Sequence, residues 1–70
     1  MAETFIPRST NIDQATYDGD ARILIITFKD GDAWRYRGVD KEVFAAFQRA
    51  HSAGSFFYRN IRNRYPAEQV

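Results

Sequence analysis

Cysteine is absent from this 70-residue chain, which excludes a disulfide framework and any thiolate metal site. There is one histidine, His51, so a zinc ion would find only carboxylates as further ligands. Its neighbour Ser52 does not make a nucleophile and base, because adjacency in sequence supplies neither hydrogen-bond reach nor a group to orient the imidazole. His51 is expected at a helix end or on the surface. No apolar run approaches the roughly 20 residues of a membrane span, and no charged N-terminal region leads into the apolar stretch of a secretory signal. An excess of one charge is missing too: ten Lys+Arg stand against nine Asp+Glu, a net of +1. A strongly basic nucleic-acid tail and an acidic disordered tract are both excluded. With four Gly and two Pro the chain holds no low-complexity tract or repeat. The expectation is a cytoplasmic protein without membrane contact, metal or cofactor, and no paired acid and base points to an enzyme.

What is present suffices for one small domain. Hydrophobic residues make up 44% and aromatics 16%, against an ordering cost on the order of 100 kcal/mol for a chain of this length. Nearly every large apolar side chain must therefore go inside. Charge is unevenly spread. Residues 1–32 carry three basic and six acidic groups, net −3, whereas residues 33–70 carry seven basic and three acidic, net +4. Eight of the ten basic residues are arginine, the side chain whose planar fork suits carboxylate or phosphate.

Residues 1–8 precede any regular period and are expected to lie loose, as are residues 67–70 at the other end. The text from Ile12 to Val39 reads as strands. Ile23-Leu24-Ile25-Ile26-Thr27-Phe28 is β-branched and apolar between two Asp-Gly-Asp turns, the pattern of a central strand in a three-stranded antiparallel meander. A two-residue Asp30-Gly31 loop would pair Ile26 with Arg35. A three-residue Lys29-Asp30-Gly31 loop with Gly31 as the bulge pairs Phe28 with Asp32 and Ile26 with Trp34, and gathers Leu24, Ile26, Phe28, Trp34 and Tyr36 on one face. The bulged loop is preferred, and it leaves Ile23, Ile25, Thr27, Arg35 and Arg37 on the other face with arginine stems across the isoleucines. The Asp18-Gly19-Asp20 and Asp30-Gly31-Asp32 turns lack the spacing of a calcium loop.

Helical period begins after Val39. Asp40 is placed as an N-cap, Val39 and Phe44 as a hydrophobic staple, and Val43, Phe44, Phe47 and Ala50 as the buried stripe of a helix running to about Ala50. A second short helix, capped by Ser52 or Ser55, should run through Phe56 to Ile61 with Phe57 and Ile61 as its core pair, and Tyr65-Pro66 cannot continue it. The predicted class is α+β, β-β-β-α-α, with both helices on one face of the sheet.

The constellation with chemical content is arginine interleaved with aromatics. Trp34-Arg35-Tyr36-Arg37 puts two basic residues on one strand face, and Phe56 to Tyr65 adds Arg59, Arg62 and Arg64 among Tyr58, Asn60 and further rings. Arginine can hold phosphates while tyrosine stacks on bases. The plainer alternative is that the rings are core and the arginines a solvated exterior. The candidate nucleic-acid-binding residues are Tyr58, Arg59, Asn60, Arg62 and Arg64, with Arg35 and Arg37 as a second patch.

From Ser9 to Pro66 the chain resembles the KTSC domain, a family named for its occurrence at the C-terminus of some lysyl-tRNA synthetases and found also as single-domain bacterial proteins. The resemblance is carried by Ser9, Asn11-Ile12, Tyr17-Asp18, Phe28-Lys29-Asp30-Gly31, Trp34-Arg35-Tyr36, Gly38-Val39 and Phe56-Phe57-Tyr58-Arg59-Asn60-Ile61-Arg62-Asn63-Arg64-Tyr65-Pro66. The family's Tyr-x-Tyr appears here as Trp34-Arg35-Tyr36, which keeps an aromatic wall and drops one phenol. The resemblance implies one domain over residues 9–66, no assigned biochemical role, and RNA as a partner by association with a tRNA enzyme. Residues and resemblance together lead to an expected small module for weak RNA or other phosphate-ligand binding. The alternative is a protein-interaction module or homodimer using an open sheet edge or the Ile23 and Ile25 face.

Overall fold

The computed structural model describes residues 2–70. Its elements are strands β1 (Ala2–Phe5), β2 (Ile12–Asp18), β3 (Ile23–Phe28) and β4 (Ala33–Arg37), helices α1 (Lys41–Arg49) and α2 (Ala53–Asn60), and strand β5 (Ala67–Gln69). The class is α+β as expected, with the helices on one face. The sheet, however, has five strands in the order β1-β2-β3-β4-β5, every neighbouring pair antiparallel. The three-stranded meander is its middle.

Both extra strands come from segments expected to lie loose. Met1, the first residue of the 1–8 segment, lies outside the described residues, but Ala2–Phe5 pairs along β2 and is anchored by Phe5, whose ring meets Phe44 and Phe47 edge-on at 6.5 and 5.5 Å. At the other end Arg37 N–H donates to the Pro66 carbonyl and Val70 N–H to that of Ala33, both at 3.0 Å, which draws 67–69 onto β4. An edge strand of three or four mostly polar residues carries too little alternation to read as one.

Register at the β3–β4 hairpin follows the bulged loop. Phe28 N–H donates to Asp32 O at 2.8 Å, Gly31 N–H to Phe28 O at 3.0 Å, and Gly31 has φ +99°. Ile26 consequently faces Trp34 and Leu24 faces Tyr36. A β-carbon at Gly31 would meet no atom within 4 Å, so only its backbone angle restricts that position. In the β2–β3 turn Arg22, and not Gly19, takes the left-handed angle, φ 59°. Asp18 and Asp30 serve as turn acceptors, their Oδ1 atoms bonded to the N–H of Asp20 and of Asp32 at 3.0 and 2.9 Å. On β2 a bulge between Ile12 and Gln14 resets the alternation, so Ile12, Ala15 and Tyr17 are all buried.

Helix α1 starts where Asp40 predicts, with Val39 and Phe44 both buried as a staple. The Asp40 carboxylate does not cap the helix; it pairs with Arg22 at 2.9 Å. Of the two expected caps the structure uses Ser52, so helix α2 begins at Ala53, with Ser52 Oγ accepting from Ser55 N–H at 3.2 Å, and ends at Asn60. Phe57 and Ile61 are buried, and Phe57 sets its ring against Phe28 and Tyr36, 5.6 Å from each.

The phenol of Tyr17 links sheet and helix. It donates to the Val39 carbonyl at 2.6 Å, and its ring stacks on Phe44 at 4.6 Å. Burial, reinforced by the negative charge of Asp40, raises its pKa above the ordinary 10.0. A phenol held neutral in the folded chain and free to ionise in the unfolded one contributes stability that is intact below pH 10 and lost as pH rises through the folded-state value. Thermal denaturation should therefore show Tm falling above pH 10, and Tyr17→Phe should cost about 1–2 kcal/mol at neutral pH and flatten that fall. Phe5→Ala should cost about 1–3 kcal/mol in urea titration and remove hydrogen-exchange protection from β1 before β3 is affected.

Candidate functional site

Three segments converge beyond the end of the sheet that carries the β3–β4 hairpin: the loop from Arg8 to Asn11, the hairpin itself, and α2 with the turn after it. Local bonding fixes each one. Ser9 Oγ accepts from the N–H groups of Asn11 and Ile12 at 3.1 and 3.0 Å, and Lys29 N–H donates to the Asn11 carbonyl at 2.8 Å, tying the loop to the hairpin. After α2, the N–H groups of Ile61 and Arg62 both donate to Phe57 O at 3.0 Å, so the chain turns tightly over buried Ile61.

Between these segments lies a groove. Its apolar wall is made by Phe28, Trp34, Tyr36 and Phe57, and Arg8, Lys29, Arg59 and Arg62 stand around it, with Asp30 and Asp32 on the hairpin side. Trp34 is half-buried and Tyr58 is 63% exposed. The Arg62 guanidinium carbon sits 5.1 Å from the centre of the Tyr58 ring, a cation–π contact that holds the charge beside the groove. Burial raises the Tyr36 phenol above its ordinary pKa, and the positive charge of Arg62 draws it part of the way back.

Seven of the ten cations fall into two sets, and Lys41, Arg49 and Arg64 belong to neither. On the far face of the sheet Arg35 and Arg37 reach the same carboxylate, Glu68, at 3.3 and 3.6 Å, and in the β2–β3 turn Arg22 pairs with Asp40. Around the groove, Arg8, Lys29, Arg59 and Arg62 make no ion pair with a described residue. Exposed pairs of the first kind are worth only about 0–1 kcal/mol each, but they weaken the field of the arginines they hold.

The expected binding residues are thus divided. Tyr58, Arg59 and Arg62 line the groove. Asn60 is turned inward, its amide donating to the Phe56 carbonyl at 3.3 Å, and Arg64 is exposed but outside the groove lining. Arg35 and Arg37 lie on the opposite face of the sheet, since residues alternate along β4 and Trp34 and Tyr36 face the groove. Sequence reasoning missed Arg8 and Lys29, which are far from α2 in the chain; the only available signal was that Lys29 belongs to the hairpin whose bulge turns Trp34 inward. Trp34 and Tyr36 lie on the apolar face as expected, Tyr36 buried in the core and Trp34 half-buried against it, and both also line the groove. His51 is exposed between the helices, and no three His, Cys, Asp or Glu residues gather as metal ligands among the described residues. Among those residues, too, no helix is long and apolar enough to cross a membrane.

A small antiparallel sheet with two helices on one face and an arginine-rimmed aromatic groove beside them defines the structural class. Residues 8–65 match the KTSC domain profile, and the chain belongs to the KTSC domain family. The crystal structure of a KTSC domain protein from Yersinia pestis superposes with a TM-score of 0.90 at 28% sequence identity, covering 100% of this chain and 99% of that one. No curated protein matches the chain. The matched range agrees to within one residue at each end with the Ser9 to Pro66 resemblance.

The closeness of Arg62 to Tyr36 gives a direct check. Replacing Arg62 with alanine removes the one charge that lowers the Tyr36 pKa, so an NMR titration of the tyrosine rings should show Tyr36 ionising at higher pH in Arg62→Ala while Tyr17 is unchanged.

Proposed function

We propose that this KTSC domain is a binding module for RNA, held through its phosphate backbone in the groove beside α2, and that it binds without making or breaking bonds. The observation that carries this reading is the gathering of cations: Arg8, Lys29, Arg59 and Arg62 stand around one aromatic wall and pair with no carboxylate among the described residues, whereas Arg35 and Arg37 share Glu68 and Arg22 holds Asp40. Arginine and lysine around the groove neutralise phosphates, and Trp34 and Tyr58 offer rings to unpaired bases. The family's association with tRNA synthetases points the same way. Asp30 and Asp32 on the hairpin side and a total charge of only +1 set the expected affinity low.

The rival reading places a protein partner or a second copy on the Ile23 and Ile25 face or at a sheet edge. That face is crossed by its own arginines, since Ile25 lies opposite Arg35 and Ile23 opposite Arg37. The open edges are now β1 and β5, of four and three residues.

Amide NMR titration with mixed tRNA at about 50 and about 200 mM salt tests the proposal. Shifts should cluster on Arg8, Lys29, Arg59 and Arg62, and log K should fall with log salt at a slope of about −2 to −3 for three or four phosphates engaged. Arg59→Ala and Arg62→Ala should each weaken binding, and Arg35→Ala should leave it nearly unchanged. Shifts confined to the Ile23 and Ile25 face, or affinity indifferent to salt, would contradict the proposal.

A further inference from the structure

Tyr17 and Tyr36 occupy one cross-strand row, each opposite Leu24, and both are buried. Their hydroxyls are used very differently. That of Tyr17 donates to the Val39 carbonyl. That of Tyr36, on a residue only 4% exposed, makes no hydrogen bond to any described residue. It is not sealed off, since no side-chain polar atom among the described residues is both fully enclosed and unpartnered, and Tyr36 lines the groove.

Such a hydroxyl adds nothing to packing that phenylalanine would not supply, and it forms no bond within the described residues that holds the fold together. Its hydrogen-bonding capacity is available to whatever enters the groove. Arg62 lines the same groove, its guanidinium is steadied by the Tyr58 ring, and its charge acts on the ionisation of the Tyr36 phenol. A neutral phenol and a guanidinium are both donors, and two donors of this kind match an oxyanion with several acceptor lone pairs.

We infer that the Tyr36 hydroxyl and the Arg62 guanidinium form an oxyanion subsite on the inner wall of the groove, where they hold one phosphate group of a single-stranded RNA. This rests on the RNA reading and narrows it. A recessed donor is within reach of a phosphate on a flexible strand, which can dip into the groove while its bases lie on Trp34 and Tyr58. The rigid cylinder of a duplex keeps its bases stacked and its phosphates on an outer ridge. Inorganic phosphate offers the same chemistry without the strand.

The test uses three probes on the intact chain: single-stranded oligouridine, a duplex RNA of equal length, and inorganic phosphate. Binding is read from the fluorescence of Trp34, the only tryptophan, and from NMR signals of the Arg62 guanidinium and Tyr36 ring. The single strand should bind more tightly than the duplex. Tyr36→Phe should weaken it about five-fold with Tm unchanged, and combining it with Arg62→Ala should weaken binding by less than the two effects multiplied, because both groups hold one phosphate. Wild-type affinity in Tyr36→Phe would overturn the subsite while leaving RNA binding intact, and a clear loss of Tm would mark the hydroxyl as structural and overturn it as well. Should neither RNA bind, phosphate shifts at Arg62 and Tyr36 that vanish in Tyr36→Phe would uphold the subsite and retire the RNA reading; without such shifts both fall.

Discussion

The hairpin between β3 and β4 sets the rest of the structure, through the backbone angle of one residue. Gly31 at φ +99° lets Lys29-Asp30-Gly31 close as a three-residue bulged loop, with Phe28 bonded to Asp32. A two-residue closure would shift pairing by one position and exchange the faces of β4. Trp34 and Tyr36 would then project away from the helices, and Arg35 and Arg37 would point into the apolar layer formed by Leu24, Ile26 and Phe57. Burying two guanidinium groups there without carboxylates costs far more than the roughly 1 kcal/mol by which turn types differ. Hydrophobic packing and turn geometry therefore select the same register, and that register places an aromatic wall where the groove opens.

Charge sorting follows from the same alternation. With Arg35 and Arg37 on the far face, β5 brings Glu68 opposite Arg35 and within reach of both arginines. The strand thus covers the edge of β4 and partly offsets the charge on the far face of the sheet. Among the acids on the groove side, Asp30 is bent back into its own turn. From the basic second half Arg59 and Arg62 stand beside α2, where the loop at Arg8 and the hairpin at Lys29 add cations from the acidic half. A chain almost neutral in total presents a locally cationic groove, which net charge alone does not reveal.

Much of this could be read from residue order because local and global preferences agree. The β-branched run at Ile23 to Phe28, the Asp-Gly turns, the staple of Val39 and Phe44, and the pair Phe57 and Ile61 each fit one element only, and the bulged register followed from requiring a single apolar face. What could not be read is tertiary in origin. Strands β1 and β5 owe their order to Phe5 against Phe44 and Phe47 and to the backbone bonds of Arg37 and Val70, contacts between residues far apart in sequence. The bulge at Ile12 hides its burial from a two-residue period. For the site, the arginine–aromatic segment identified Tyr58, Arg59 and Arg62, but the same pattern also drew in Asn60, whose amide is bonded within α2, and Arg64, which stands outside the groove. Arg35 and Arg37 were recognised as a separate patch without any sign that Glu68 would occupy them.

The central claim is that unpaired cations surround the aromatic wall containing Trp34. A protein with one tryptophan reports on this directly through collisional quenching by ions of opposite charge. At equal ionic strength, and with each ion's quenching divided by its quenching of free N-acetyltryptophanamide, iodide should quench Trp34 fluorescence markedly more than caesium does, with the difference shrinking as inert salt screens the rim over a Debye length of about 10 Å at 0.1 M. Equal normalised quenching by the two ions, or stronger normalised quenching by caesium, would contradict the account, because Trp34 would then lie in surroundings without the excess positive charge assigned to the groove.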